Sequence, residues 1–185
     1  MRTILVLILL VFALPCAAEL VEIPLTTLPG VYPGTGAERT EDFAFLMDPA
    51  NVLSAFVRIV GVETVGVIEC EGSPEPYPME IGAYLRDETT GGWWSAYKEF
   101  AEAGGAFDVT LAFTGSIFNP PTWDFLGGGG GTLYLYGAPV AVVGICGPVL
   151  SAPSAEISEV TLIIDMASTV NTEPSTWSTL KAVYR

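Results

Sequence analysis

Histidine is absent from this 185-residue chain, and only 7 side chains are Lys or Arg. Without histidine, Ser-His-Asp triads, Cys-His pairs and nearly all zinc chemistry are out of reach. The few basic residues face 21 Asp and Glu, a formal charge of −14, so the clustered cations that phosphate contacts need are missing as well. Nucleic acid is thereby excluded as a partner class. Charge of either sign is scarce, at 15% of residues against roughly a quarter in ordinary soluble domains. No Asn-x-Ser/Thr sequon supports N-glycosylation. Beyond residues 1–18, no apolar run suits a bilayer: Ala138 to Leu150 is short and broken by Pro139, Gly144, Gly147 and Pro148.

What remains is apolar and rich in turn-formers. Half the residues are hydrophobic, enough to bury a real core, and Gly 20 with Pro 14 implies many short elements joined by turns. The length suits one domain.

Residues 1–18 read as a secretory signal peptide. Arg2 begins a short basic start, Ile4 to Leu14 is the apolar stretch, and Cys16 and Ala18 place small residues before a cut at Glu19. A lipidated reading on Cys16 fits less well, because Pro15 precedes the cysteine. Cleavage removes one of three cysteines and leaves Cys70 and Cys146. In an oxidising compartment these form a candidate disulfide; the alternative is two buried free thiols. Secretion, or another extracytoplasmic location, follows from both observations.

The body carries period-two alternation. Phe107, Val109, Leu111 and Phe113 fall on one face of a strand, Asp108, Thr110 and Thr114 on the other. Ile81, Ala83 and Leu85 form a second row, Phe43, Phe45 and Met47 a third, and Leu53, Ala55, Val57 and Ile59 a fourth. Val160, Leu162, Ile164 and Met166 form a fifth. Further strands are expected over 20–27, 63–70, 94–100, 132–136 and 140–146, separated by Pro, Gly, Asn and Asp turns. Nine or ten strands predict an all-β, antiparallel two-sheet sandwich of jelly-roll type over residues 19–168. Residues 169–185 read as a linker and a short amphipathic helix, with Trp177, Leu180 and Tyr184 on one face.

That ending, carried by Trp177, Leu180, Lys181, Ala182, Tyr184 and Arg185, resembles short Trp-x-x-Leu-Lys-Ala-x-Tyr-Arg tails of secreted bacterial proteins. The resemblance covers about nine positions and implies no activity. The row from Phe107 to Thr110, followed by a late Leu-Ile-Ile-Asp strand, is similar in style to secreted carbohydrate-binding jelly rolls. No binding residue is carried over from it.

The candidate ligand residues are Trp93, Trp94, Tyr97 and Trp123. In a strand, Trp93 and Tyr97 share a face with Ser95 between them, an apolar platform of the kind on which sugar C–H faces stack, with Tyr134 and Tyr136 as possible extensions. Against this, buried aromatics are the default, and one of two adjacent tryptophans in a strand faces the core. Asp87 and Glu88 lie where a glycosidase carboxylate pair would be sought, but adjacency in sequence says nothing of the spacing such chemistry needs. The acidic inventory reads first as a solvated surface. Calcium could use the same oxygens, yet no D-x-[DN]-x-[DN]-G loop is present, so no cofactor is assigned. Gly127 to Gly131 lacks the Gly-Lys-[Ser/Thr] of a phosphate loop. The resulting expectation is a non-catalytic binding or surface-associated module with glycan as ligand. A structural component of an envelope or extracellular assembly is the alternative, and a hydrolase comes third.

Overall fold

The computed structural model describes residues 19–34, 36–44, 51–86, 93–99, 104–115, 130–139 and 146–167. Among them every regular element but a single 3₁₀ residue is β-structure, and every ladder is antiparallel. The strands are β1 (Glu19–Leu25), β2 (Gly30–Pro33), β3 (Ala37–Ala44), β4 (Val52–Thr64), β5 (Gly66–Cys70), β6 (Ser73–Tyr77) and β7 (Met79–Arg86). Then follow β8 (Trp93–Glu99), β9 (Gly105–Ala112), β10 (Thr114–Gly115), β11 (Gly130–Pro139), β12 (Cys146–Ser151) and β13 (Ser154–Met166). The first sheet runs β1-β13-β4-β9, with β2 also paired to β13. The second runs β10-β8-β7-β11-β3, and the third β12-β5-β6.

The long-range pairings are nested. Leaving aside β5, β6, β10 and β12, and counting β1 with β2 as one strand, the first pairs with the last (β1 and β2 with β13). The second pairs with the second-last (β3 with β11), the third with the third-last (β4 with β9), and the innermost two with each other (β7 with β8). Two further ladders, β13 with β4 and β11 with β7, join these ribbons into the two five-stranded sheets.

One hydrophobic cluster takes residues from both five-stranded sheets: Ala55, Val57, Ile59, Leu162 and Ile164 from the first, and Ile81, Ala83, Leu85, Leu133 and Leu135 from the second. Two cross-sheet rows display the cause. Ile23, Leu162, Val57 and Leu111 stand opposite one another in register, as do Leu25, Val160, Ile59 and Val109. The period-two alternation of each strand thus becomes one continuous apolar face.

The third sheet extends one ribbon. β4 continues past Thr64 as β5, while β13 is preceded by β12, so the pairing of Thr64 with Ser154 is followed by Val67 with Ser151 and then Cys70 with Cys146. The two cysteines lie directly opposite at disulfide-bonding distance, with Cα atoms 4.1 Å apart and a sequence separation of 76. β5 turns into β6 through Glu71 and Gly72, both at positive φ (53° and 80°), the two-residue hairpin conformation that favours glycine.

Several expected rows are redrawn. Leu53 does not continue the buried row of Ala55, Val57 and Ile59: the ladder slips between Asp165 and Met166, Val52 takes the inward position, and Leu53 is 59% exposed. The run expected over 63–70 is split at Val65 between β4 and β5. Phe43 is buried, whereas Phe45 and Met47 lie outside the described residues, as do most of the 140–146 strand and the expected tail helix with Trp177, Leu180 and Tyr184.

A polar clip closes one edge. On β3 the core-side row contains Arg39 and Glu41 as well as Phe43, opposite Leu135, Leu133 and Gly131. Glu41 accepts hydrogen bonds from the N–H groups of Thr26, Thr27 and Leu28 (3.0, 2.7 and 3.2 Å) and from the Thr27 hydroxyl (2.8 Å). Burial alone would raise its pKa, but these donors together hold it below the usual carboxylate value. Arg39 donates to the carbonyls of Pro29 and Val31 and lies 5.1 Å from the ring centre of Tyr32. Burial pushes the Tyr32 phenol up to about 12, partly offset by Arg39, and its hydroxyl donates to the Leu28 carbonyl at 2.6 Å. An alternating base and acid on an edge strand therefore grip the whole β1–β2 connection. Inward charges of this kind also keep an edge from pairing with another chain.

Candidate functional site

The outward positions of the second sheet bring together most of the aromatic residues singled out by sequence. The pleat puts Ile81, Ala83 and Leu85 of β7 inward, so Glu80, Gly82 and Tyr84 fall on the opposite face. Their neighbours on β11 are Ala138, Tyr136 and Tyr134, and beyond these on β3 stand Glu38, opposite Tyr136, and Thr40, opposite Tyr134.

Three tyrosines from two adjacent strands interlock here. The rings of Tyr84 and Tyr134 are stacked, with centroids 4.5 Å apart and planes 7° from parallel. Tyr136 is tilted at 49° to Tyr84, 6.4 Å away. Gly82 makes this possible: a Cβ there would sit 2.2 Å from Cζ of Tyr136, so that ring occupies the space a side chain would need. The phenols cross between strands. Tyr84 reaches over β11 to donate to Glu38 on β3 at 2.7 Å, and Tyr136 donates to Glu80 on β7 at 3.1 Å. The Thr132 hydroxyl likewise donates to Asp42. Burial and the Glu38 carboxylate both raise the Tyr84 pKa, so it remains a neutral donor across the physiological range.

The register of β8 continues this face. Trp93, Ser95, Tyr97 and Glu99 pair with Arg86, Tyr84, Gly82 and Glu80, so the backbone places them at outward positions. Trp94 pairs with Leu85 and is in phase with Ala96, which is 4% exposed, so its position belongs to the core-side row. Trp123, Asp87 and Glu88 lie outside the described residues. Sequence reasoning missed Tyr84, Gly82 and the carboxylates Glu38, Asp42 and Glu80. The signal for Tyr84 was available: it alternates with Ala83 and Leu85, whose inward row was recognised.

The outer face of the first sheet is chemically different. Arg58 on β4 forks onto Asp108 of β9 (2.9 and 2.8 Å) and also reaches Glu159 of β13 (2.7 Å). The hydrogen bond from Arg58 lowers the Asp108 pKa. Beside them lies a shallow open depression of about 670 Å³, lined by Val60, Gly61, Val62, Ala106, Phe107 and Glu156, among others. Inside the molecule, Glu63 is 4% exposed and accepts the Met79 N–H at 3.0 Å, a polar tie between β4 and β7. Burial raises its pKa. Among the described residues no group of three or more Cys, Asp or Glu is placed to hold a metal ion, and no helix is long and apolar enough to cross a membrane.

Neither a protein-family model nor a curated protein sequence matches the chain.

Proposed function

We propose that this chain is an exported jelly-roll sandwich acting as a non-catalytic glycan-binding module, and that the outer face of the second sheet is its ligand surface. The observation that carries the reading is the Tyr84–Tyr134–Tyr136 cluster, half-buried on a sheet face that the outward backbone positions of Trp93 and Tyr97 on β8 continue. Aromatic rings offer a sugar its stacking partner, and nearby carboxylates offer acceptors for its hydroxyls. Support for the jelly roll comes from the nested pairing, which is that of one long antiparallel ribbon rolled up on itself, and from the single core shared by both sheets. The cysteine pair is compatible with an oxidising, extracytoplasmic location.

The test is a glycan array probed with the purified chain and with Tyr136→Ala. Defined glycans should bind the parent chain, and Tyr136→Ala should weaken them about tenfold, the effect of one lost stacking contact. An array without signal at high protein concentration would end the reading.

A further inference from the structure

We infer that β9 is a self-pairing edge, through which two copies of this chain join in a two-fold antiparallel ladder with Val109 on the axis. The inference is independent of the glycan-binding reading, because β9 belongs to the first sheet. An edge strand offers a row of backbone groups to another strand, and proteins blunt such edges with proline, inward charge, bulges or short length. Every other edge among the described residues carries one of these devices. β1 contains Pro24, and β2 ends on Pro33. On the second sheet β3 turns Arg39 and Glu41 to the core side, and β10 is two residues long. On the third, β6 contains Pro74 and Pro76, while β12 contains Pro148 and pairs through two register shifts. β9 runs eight residues with no proline, no inward charge and no register shift, and its one ladder among the described residues is with β4.

The register decides what this edge offers. Phe113 donates its N–H to the Ala55 carbonyl at 2.9 Å, so the odd-numbered residues of β9 turn their backbone groups toward β4. The N–H and C=O groups of Ala106, Asp108, Thr110 and Ala112 therefore point away from β4. A second β9 with Val109 opposite Val109 uses all four: Ala106 meets Ala112 and Asp108 meets Thr110, each at a hydrogen-bonded position. The same register sets Phe107 against Leu111 on the inward row, an aromatic and a branched side chain. Burial falls off along that row, for Val57 and Ile59 of β4 are fully buried while Val109 and Leu111 beside them are half-buried. A register with Asp108 opposite Asp108 would pair like charges and is disfavoured. With Val109 on the axis, Asp108 faces a hydroxyl and keeps its own Arg58. The strand is thus complementary to itself, which selects a second copy as its partner.

The experiment is sedimentation equilibrium of the purified chain over a concentration series, repeated with Thr110→Pro, Thr110→Asp and Val109→Cys. The parent chain should form a dimer and nothing larger, with roughly micromolar affinity, as a contact through one pair of strands allows. Association should tighten in about 1 M salt, which screens the repulsion between two copies of net charge −14. Thr110→Pro removes a donor that points only to the open edge, so it should keep the parent's urea midpoint while weakening the dimer about tenfold. If that variant does not fold, Thr110→Asp decides: it sets a carboxylate against Asp108 of the partner subunit and should weaken the dimer about as much at low salt. Oxidised glutathione should link Val109→Cys through position 109, because Cα atoms of a non-hydrogen-bonded pair lie about 4.5 Å apart, within disulfide range. A chain that stays monomeric at every concentration overturns the inference. So does a dimer that both Thr110 variants leave intact, or one that yields no link between the two positions 109. Oligomers that grow beyond the dimer overturn the two-fold arrangement.

Discussion

Glu41 offers the sharpest test of how the edge between β1, β2 and β3 is held. Its carboxylate takes three backbone N–H groups and one hydroxyl from Thr26, Thr27 and Leu28. Glu41→Ala leaves all four donors without that partner. A hydrogen bond to a charged group contributes roughly 1.5–3 kcal/mol net when enclosed, and much less where water can replace it. The Thr26 and Thr27 donors are exposed, and only the Leu28 bond is partly enclosed. The working value is therefore about 2 kcal/mol rather than the sum of four full bonds. Urea titration near neutral pH should show a lower midpoint with unchanged slope, and the thermal midpoint should fall by about 4–8 °C for a domain of this size. Glu41→Gln, keeping one acceptor oxygen, should fall between. The pH dependence has a fixed sign. Because the folded pKa lies below the unfolded one, the carboxylate stabilises above its ordinary value of 4.5, and this is lost as pH drops through the folded value. The gap between the parent chain and Glu41→Ala should therefore close in acid. A gap under about 0.5 kcal/mol near neutrality, or one that persists unchanged in acid, would refute the clip.

Glu63 predicts the opposite trend. Its folded pKa is raised by burial, so its contribution is full below 4.5 and lost as pH rises through the folded value. Glu63→Gln, which keeps an acceptor for the Met79 N–H, should flatten stability over that window and be no less stable than the parent near neutral pH, as read by urea midpoints at several pH values. Replacing Cys70 and Cys146 by Ser should cost about 4 kcal/mol on the chain-entropy model for a 76-residue span, seen as a lower urea midpoint. Amide exchange should then rise in 66–70 and 146–151 while the middle of β13 remains protected, because Ile68 is the one buried hydrophobic residue of the third sheet among those described.

Legibility in the sequence followed the range of the interaction. The alternation of β9 was plain from Phe107 to Leu111, and that of β13 from Val160 to Met166, because each strand faces one core and period two reports it directly. The cysteine pair was legible by counting, once the expected leader was set aside. Leu53 was misread because one extra residue in β4 shifts the phase, and nothing local announces a bulge whose partner lies in β13. Arg39 and Glu41 could not be singled out, since a charged pair on a core-side row makes sense only once the β1–β2 connection lies beside it. Of the site, Trp93, Tyr97, Tyr134 and Tyr136 could be proposed from composition, but Tyr84 and its acids could not be joined to them. Tyr84 and Glu38 lie 46 residues apart and meet only across β11.

The two outer sheet faces make the binding hypothesis separable from stability. Arg58 belongs to the first sheet, and its fork to Asp108 and Glu159 is solvent-exposed, so salt and acid should weaken it readily. Asp108 has a lowered folded pKa, so its share of stability is present above its ordinary value of 3.8 and lost as pH falls through the folded one. Arg58→Gln should therefore lower stability slightly near neutrality, and the difference should disappear in acid and in high salt. Ligand affinity should not change, because the tyrosine cluster lies on the other sheet. Tyr136→Ala should show the converse pattern, losing affinity while its urea midpoint retains the parent's pH profile. A common loss of affinity in both variants would mean either that the ligand wraps both sheets or that the surface was misplaced. Titration of Arg58→Gln/Tyr136→Ala distinguishes these: additive losses place ligand contacts on both faces, and a single shared loss removes the tyrosine face from the binding site.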